Sequence, residues 1–470
     1  MRSKKFQLVW YQANDTAAME QKLEKMAEKG WLLEKVTNWG WHYRRTEPQT
    51  AKYTVTFFPD ASVFDGAPTQ GQETYADYCA AAGWEFVSAY GPMQYFRSTR
   101  PNPTPIETDE GEKLQAIHKS MMKTWILSYC LLLVSQLLNL STRINNLKRN
   151  PLSVLSSNGD IALWVLLIAM MVYLVAFLLD YFIWYHRSKQ AVERGEACLQ
   201  PHTKARFWAS AVLLAVCALS VLAWISEIST PGMAVVWIYA FGGMAAIMAL
   251  SQGLMAVLKN AGCSRGTTKT AFIVTVLILS IAYASGMIPL ANHLRESGLM
   301  VERQPAYVLT TNHGGMDMDW SIYRDELPVT LEDLGYTVTE EDHCSYEIHT
   351  EGSVLMKRTT HEQQSYGEGS DLPYLRYTVA DVKWDFLLDP VIKLATEGYS
   401  ISVGGVAIPL FQFSPADEPL FGADRMYVPS GGNLLKAVYL IYGSRIVYIE
   451  SGDPLTEVQL GILGEKLNLA

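Results

Sequence analysis

The sequence predicts a multi-domain membrane protein: a ferredoxin-like α+β region at 1–100, a five-helix membrane region at 124–290 and an α+β region at 291–470. Three observations predict this architecture. The first 100 residues contain an internal repeat, the middle of the chain contains five long apolar segments, and the charge is unevenly distributed. A chain of 470 residues is also too long for one compact domain.

The N-terminal region predicts the element order βαββαβ, which is that of a ferredoxin-like split βαβ sandwich. Apolar residues at helical spacing predict the helices, and β-branched and aromatic residues predict the strands. The predicted segments are Phe6–Tyr11, Ala17–Lys29, Trp31–Arg45, Tyr53–Phe58, Tyr75–Ala82, and Trp84–Tyr90 with Gln94–Arg97. Asp15 or Thr16 is suited to cap the first helix, because either side chain can accept from its free amides.

An internal repeat supports this assignment. The segment Ala27-Glu28-Lys29-Gly30-Trp31 recurs as Ala80-Ala81-Ala82-Gly83-Trp84 at an offset of 53, and Tyr43-Arg44 recurs as Phe96-Arg97. In each half, a predicted helix is therefore followed by Gly-Trp, then by an aromatic strand and then by an Arg residue. In each half the glycine is expected to end the helix in the left-handed conformation.

The aromatic residues of this region have two interpretations. The first is core and sheet-face packing. The second is a ligand-binding aromatic cleft, and its expected residues are Trp31, Trp41, Tyr43, Trp84 and Phe96. Residues 101–123 follow as a stiff, proline-rich linker and a juxtamembrane helix.

The five apolar segments are each about 17 to 25 residues long, enough to cross a membrane as helices. They are Thr124–Leu140, Ile161–Trp184, Phe207–Ile225, Met233–Val257 and Ala271–Leu290. The connections contain 11 Lys and Arg residues on one side and 5 on the other. By the positive-inside rule, this predicts a cytosolic N-terminus and an extracytoplasmic C-terminus.

The charge distribution agrees with this topology. Residues 291–470 contain 27 acidic and 12 basic residues, whereas 1–290 contain 20 acidic and 26 basic ones. We find no cleavable signal peptide, so the first span is expected to act as the insertion signal. Cys344 is the only cysteine predicted outside the cytosol and bilayer, so no disulfide is expected within that domain.

Asp180 is the principal ionisable residue in the predicted spans. An interfacial carboxylate near the cytosolic surface is one interpretation, because Tyr181, Trp184 and Tyr185 follow it as an aromatic belt. A charge pair or an ion-linked role is the other. Broken or repeated helices are absent from the sequence pattern, which disfavours a transporter or channel.

The acidic C-terminal region predicts an extracytoplasmic α+β domain. Thr330 with Asp333 is expected to begin a short helix, and Gly443-Ser444 to form a hairpin turn. The remaining predicted strands are Ser353–Thr359, Tyr374–Val379, Val406–Phe413, Ala437–Tyr442 and Ile446–Glu450, and the predicted helices are Asp385–Thr396 and Pro454–Leu467.

The C-terminal region offers little catalytic chemistry. His343, Cys344, His349, His361, Asp317 and Asp319 lack a recognised metal-ligand spacing, so neither a metal nor a cofactor is expected. Three Gly-Gly pairs, at 314–315, 404–405 and 431–432, are expected to be turns. Acidity disfavours nucleic acid as a ligand, whereas cations or basic peptides fit better.

The segments Met26–Leu33, Tyr78–Val87 and Gln94–Arg97 resemble the bacterial membrane-protein family with a domain of unknown function 2812. The resemblance covers about the first 100 residues. It implies a cytosolic module on a multi-span anchor, typically in Gram-positive bacteria, and it implies sensing rather than catalysis because family members often accompany transcriptional regulators. It supplies no functional residues.

These observations lead to one main hypothesis and two alternatives. The chain is expected to be a non-enzymatic sensor or accessory protein of the bacterial cytoplasmic membrane that couples an extracytoplasmic domain to a cytosolic module. Its expected partners are the lipid bilayer and a membrane-protein or cytosolic regulatory partner. The alternatives are a structural scaffold or complex subunit, and an extracytoplasmic hydrolase or transferase.

Overall fold

The computed structural model describes residues 3–467 except Trp10, Asn38, Ala67, 301–302, 314–315, 404–405, Phe411, Leu420 and 431–435. For 312–313, 316, 399–403 and 406–410 it describes the backbone alone. The three Gly-Gly pairs therefore lie outside the described residues. The chain divides into two compact units, one of Met1–Gln136, Ile168–Cys217 and Thr230–Met300 and one of Leu137–Leu167, Ala218–Ser229 and Val301–Ala470.

The N-terminal region consists of two βαββ repeats. The first contains β1 (Lys4–Gln7), α1 (Thr16–Glu28), β2 (Trp31–Thr37) and β3 (Gly40–Arg45). The second contains β4 (Lys52–Phe57), α2 (Gln70–Ala81), β5 (Glu85–Tyr90) and β6 (Met93–Ser98). Each repeat forms its own antiparallel sheet, in the orders β1-β3-β2 and β4-β6-β5.

The ferredoxin-like topology is not confirmed, because the described strands form two three-stranded sheets rather than one sheet of four. Each half pairs its own adjacent strands, so the hydrogen bonds stay local. The internal repeat includes more structural features than the sequence indicates. At the offset of 53, β3 corresponds to β6, and a break in register between Leu33 and Lys35 corresponds to one between Phe86 and Ser88.

The helix after the linker belongs to the core of the N-terminal region. α3 (Glu110–Met121) continues through a π-helical turn (Met122–Ile126) into α4 (Leu127–Arg149). The buried residues that α3 and this turn contribute to the core are Leu114, Ile117, Met121 and Ile126. Phe177, Tyr181 and Trp184 of the second predicted span join the same cluster.

Five helices are long and apolar enough to cross a membrane, as the sequence predicts. α3 and α4 form the first, which is followed by the short connection α5 (Pro151–Ser156). The others are α6 (Asn158–Glu193), α7 (Thr203–Ser226), α8 (Pro231–Asn260) and α9 (Arg265–Glu296). In α8, Gly243 permits close packing against α9, because a Cβ there would lie 2.4 Å from the Tyr283 ring.

The C-terminal region contains a seven-stranded antiparallel sheet of order β14-β15-β16-β17-β11-β10-β9. Its strands are β9 (Ser345–Gly352), β10 (Met356–Gln364), β11 (Leu375–Val382), β14 (Phe413–Pro415), β15 (Arg425–Pro429), β16 (Ala437–Tyr442) and β17 (Arg445–Ser451). Two hairpins stand apart from it, β7 (Tyr307–His313) with β8 (Met316–Ile322) and β12 (Tyr399–Val403) with β13 (Val406–Leu410). The helices are α10 (Asp385–Glu397) and α11 (Glu457–Lys466).

Both faces of this sheet are covered. One face packs Tyr377, Leu440 and Ile449 against α11, whose Leu460 and Leu463 are buried. The other face packs Ala380, Ile441 and Ile446 against α10 residues Val391 and Ile392 and against Leu152 of α5. The sheet therefore has two hydrophobic layers, one on each side.

Three local predictions for this region need correction. Thr330 and Asp333 hydrogen-bond as in a capped helix, at 3.1 Å, but the chain there forms only turns. The predicted strand Val406–Phe413 is two strands in different sheets, β13 and β14. The last helix begins after Thr456, which caps it through Gln459, rather than at Pro454.

Candidate functional site

The five aromatic residues predicted for a cleft do not line one cleft. Trp41 and Tyr43 are buried in the core that the two repeats share with α3. Trp84 and Phe96 belong to a separate cluster under α2. Trp31 is only half-buried, and the Arg45 guanidinium lies 5.0 Å above its ring. The ligand-binding role of these residues stays a prediction. Their observed contacts are those of side chains that pack against neighbouring residues.

Asp180 has a defined partner. The Arg206 guanidinium, at the start of α7, donates from Nε to Asp180 Oδ2 at 2.6 Å. Arg206 Nη1 also donates to Asp15 Oδ1 at 2.9 Å and to Asn14 Oδ1 at 3.0 Å. Arg206 is thus shared between the N-terminal region, α6 and α7. The structure shows the charge pair that one of the two sequence interpretations of Asp180 predicts.

This cluster is largely removed from solvent. The exposed fraction of the side chain is 9% for Arg206 and 2% for Asp15, whereas Asp180 retains 39%. Burial raises the pKa of the Asp15 carboxyl, and hydrogen bonds from the Gln12 backbone and from Arg206 oppose that rise. A buried charge pair of this kind is costly to break, because the remaining partner is left charged and unpaired.

Asp15 binds Arg206 instead of capping α1 as the sequence predicts. It occupies the N-cap position of α1, but its side chain makes no capping hydrogen bond. Its carboxylate accepts from the Gln12 amide at 2.8 Å and from Arg206. In the sequence, Asp15 stands directly before an amphipathic helix. This position predicts a helix cap, so the sequence does not distinguish a cap from the observed ion pair. Its partner lies 191 residues away, so no local pattern identifies it.

A second candidate site lies in the C-terminal region, where sequence reasoning predicts none. Charged side chains occupy the polar end of the sheet face that α10 covers. Arg358 donates to Glu351 at 2.6 Å, and Arg376 donates to Glu362 at 2.6 Å. The β10 and β11 register places these pairs side by side on one face.

These residues line a cavity of about 600 Å³. Its other walls are aromatic and basic: Tyr439 and Tyr448 stack with ring centroids 4.5 Å apart, and Lys148 lies at the end of α4. The volume is in the range of small-molecule pockets. Stacked rings beside paired charges are suited to bind a polar organic ligand. The alternation of charged residues in β10 and β11 is the sequence signal that indicates it.

The histidines and cysteines of the C-terminal region make separate contacts. His361 stacks on Tyr377 at 4.7 Å, His349 Nε2 lies 3.1 Å from Glu347, and Cys344 is buried. Among the described residues, no three His, Cys, Asp or Glu side chains group as metal ligands.

Comparison with known proteins identifies one region. Residues 15–130 match the family model described as "Protein of unknown function (DUF2812)". No curated protein and no solved structure matches the chain significantly. The matched segment begins at Asp15 and ends in α4, so it includes α3 and the π-helical turn that the sequence-based boundary at residue 100 leaves out.

Proposed function

Because the N-terminal region is a DUF2812 domain with membrane-helix residues in its core, we propose that the protein is a non-enzymatic membrane sensor or accessory protein. The C-terminal region binds an extracytoplasmic ligand or partner. Helices α4 and α6 transmit that event to the cytosolic DUF2812 domain, which acts on a regulatory partner. The membrane is the bacterial cytoplasmic membrane.

The Arg206 cluster is the observation that carries this proposal. It joins Asp15 at the start of α1 to Asp180 in α6 and to α7 itself. His118 of α3 adds a second link, since its Nδ1 lies 2.8 Å from the Tyr181 hydroxyl of α6. A displacement of α6 or α7 must therefore move α1 and α3 or break buried polar contacts. Transmission requires two such arrangements, one of which the ligand favours.

The connection α5 provides the corresponding contact in the other unit. Leu152 is part of the C-terminal core, and Ser353 Oγ donates to the Leu155 carbonyl at 2.5 Å. Asn158 Oδ1 accepts from the Val354 amide at 3.0 Å. Because α5 joins α4 to α6, a change in the C-terminal sheet acts directly on both helices.

The proposed topology places the N-terminus in the cytosol and the C-terminus outside. The basic residues assigned to the cytosolic side support it, since several bind the DUF2812 domain: Lys123 contacts Asp60 at 3.1 Å and Arg265 contacts Asp65 at 2.6 Å. Reporter fusions at both termini test the topology. Both termini on one side of the membrane would overturn it.

Transmission is tested on the full-length protein in nanodiscs with nanobodies selected against the C-terminal region. Binding is expected to change amide hydrogen exchange in α1 and α3 at least twofold. The change should disappear in Arg206→Leu, whereas Arg194→Leu, which breaks the exposed pair with Glu196 after the end of α6, should retain it. If no nanobody alters exchange in α1 or α3, the scaffold alternative is correct, and affinity purification should then recover a stoichiometric partner.

A further inference from the structure

A cavity lies where the two βαββ repeats meet, separate from the Arg206 cluster. Its volume is about 760 Å³, and its walls come from β1, β2, β3, β5, the residues Ser62, Val63, Asp65, Gly66 and Pro68, and Lys259 at the end of α8. The volume falls within the range of sites for small organic ligands. The two repeats are joined at its edge by a hydrogen bond from the Val36 amide to Ser88 Oγ at 3.0 Å.

The β-bulges of the two repeats lie at this cavity. In β2 the residue left out of the pairing is Glu34, and in β5 it is Val87 at the equivalent position. Both residues line the cavity. A bulge redirects side chains and bends its strand, and bulges are common beside binding sites. Their occurrence at the same offset in both repeats indicates that the cavity is a built feature of the fold.

The charged lining of the cavity is predominantly basic. It contains Lys4, Lys5, Lys35 and Lys259 with His42, against Glu34 and Asp65. Both acidic residues already have partners, since Asp65 binds Arg265 at 2.6 Å and Glu34 lies 3.8 Å from Lys4.

Three lysine ammonium groups of the lining, those of Lys5, Lys35 and Lys259, have no ion-pair partner among the described residues. That of Lys5 lies 5.6 Å above the Trp31 ring. Lys259 is half-buried, and two charges act on its ammonium group: the Asp65 carboxylate attracts it and the Lys35 ammonium group repels it. Two like charges at one cavity repel each other unless an anion lies between them.

The rest of the lining contains the polar residues Ser62, Gln72 and Ser88 and several apolar or aromatic ones. Among these, Phe6 is 47% exposed and Phe86 is 36% exposed. Tyr90 lines the same wall, and Tyr43 lies beneath with a buried hydroxyl that lacks a hydrogen-bond partner in the described part of the chain. The cavity therefore combines unpaired positive charge with exposed aromatic surface.

We propose that this cavity binds an organic anion, in which an oxyanion group is attached to an apolar body. Lys35 and Lys259 bind the oxyanion, and Phe6, Phe86 and Val87 pack against the apolar body. The ligand joins the DUF2812 domain to the end of α8, because Lys259 belongs to that helix. A phosphorylated lipid of the bilayer and a soluble organic phosphate share this chemistry. The proposal is independent of the function proposed above.

Native mass spectrometry of the full-length protein in a neutral detergent tests this binding. The soluble probes are octyl phosphate and the uncharged octyl glucoside, and the lipid probes are phosphatidylglycerol and the zwitterionic phosphatidylcholine. The anionic member of at least one pair is expected to bind more tightly than its control. Binding of octyl phosphate identifies a soluble ligand, and selective retention of phosphatidylglycerol alone identifies a lipid.

The double variant Lys35→Gln/Lys259→Gln is expected to weaken binding of the anionic probe about tenfold or more, since two charge-assisted contacts are lost. Lys25→Gln, on the exposed face of α1, is the matched control and should bind normally. Phe86→Ser should weaken octyl phosphate without affecting inorganic phosphate. Equal binding of charged and uncharged probes, or an unchanged affinity in the double variant, would overturn the proposal.

Discussion

The N-terminal and C-terminal regions complete their hydrophobic cores in different ways. The C-terminal sheet is covered on one face by α11 and on the other by α10, both from its own segment of the chain. The two small N-terminal sheets instead need Leu114 and Ile117 of α3 and Tyr181 of α6. One region is nearly self-sufficient, whereas the other is incomplete without the membrane helices.

The two regions therefore differ in how far their stability depends on neighbouring helices. A domain whose core is covered largely by its own helices can be stable by itself. A domain whose core includes residues of α3 and α6 responds to any displacement of those helices, because packed cores have discrete rather than continuous arrangements. The core of the N-terminal region therefore depends on the positions of α3 and α6.

The strongest test of this comparison is to separate the regions. A fragment of residues 303–470 should unfold cooperatively on heating, because most of its apolar surface is covered by its own helices. A fragment of residues 1–100 should lack a cooperative transition, because the surface under α3 becomes exposed. Circular dichroism and thermal melting distinguish the two. Cooperative folding of 1–100 would mean that α3 is dispensable.

Breaking the Arg206 cluster should have the next largest effect. Arg206→Leu leaves Asp15 buried and unpaired, which should destabilise the DUF2812 domain by about 3–5 kcal/mol. Limited proteolysis of the protein in nanodiscs should detect earlier cleavage in α1. The control Arg143→Leu removes a half-exposed pair and should cost about 1 kcal/mol or less. Equal effects of the two substitutions would contradict the importance of burial here.

The folding stabilities of the two regions should also change with pH in opposite directions. Desolvation raises the pKa of Glu107, next to α3, from its ordinary 4.5 to about 7. Between these values the folded domain retains a proton that the unfolded chain has lost, so its stability should fall as pH rises through this window. The total change should be about 3 kcal/mol or less, and Glu107→Gln should abolish it. Exposed Glu112→Gln should not.

In the C-terminal region the sign reverses. A hydrogen bond from Lys466 lowers the pKa of the Asp333 carboxyl. Its contribution is complete above the ordinary carboxyl pKa and is lost as pH falls through the lowered value. Thermal melting of fragment 303–470 should therefore show a loss of stability as pH falls below the ordinary carboxyl pKa and no such loss between about pH 5 and pH 7. Loss of stability between about pH 5 and pH 7 in that fragment would remove the contrast.

The smallest expected effect concerns Leu152, which belongs to the C-terminal core but comes from α5. Leu152 of α5 is buried against the sheet, so Leu152→Ala should cost about 2 kcal/mol. Leu138→Ala, at an exposed position of α4, is the control and should have little effect on that core. Chemical denaturation of the C-terminal region measures both. A much larger loss would show that its self-sufficiency is overstated.

The sequence predicts features that depend on local pattern. The apolar segments correspond to the five long helices, and the hairpin at Gly443-Ser444 forms as expected. The repeat at the offset of 53 extends to paired bulges. The division of the N-terminal strands into two sheets depends on pairing between distant segments, which alternation of residue types does not encode.

The candidate sites were harder to predict for the same reason. Asp180 is recognisable because a carboxylate in an apolar segment is unusual, but its partner Arg206 belongs to a basic loop that also serves topology. Asp15 matches a helix cap, and its true contact lies in another domain of the sequence. The cavity between the repeats combines residues from six separate segments, so only the fold brings Lys35 and Lys259 together.

The π-helical turn Met122–Ile126 sets the rotational phase of the first span. It accommodates one more residue than an α-helical turn would, directly after the last α3 residue of the core. The wide turn therefore absorbs one residue: if the same residues followed α geometry, all of α4 would be rotated about its own axis by roughly 100° relative to the core before it. Which side of α4 faces its neighbours thus depends on this single wide turn, while the domain before it keeps its packing.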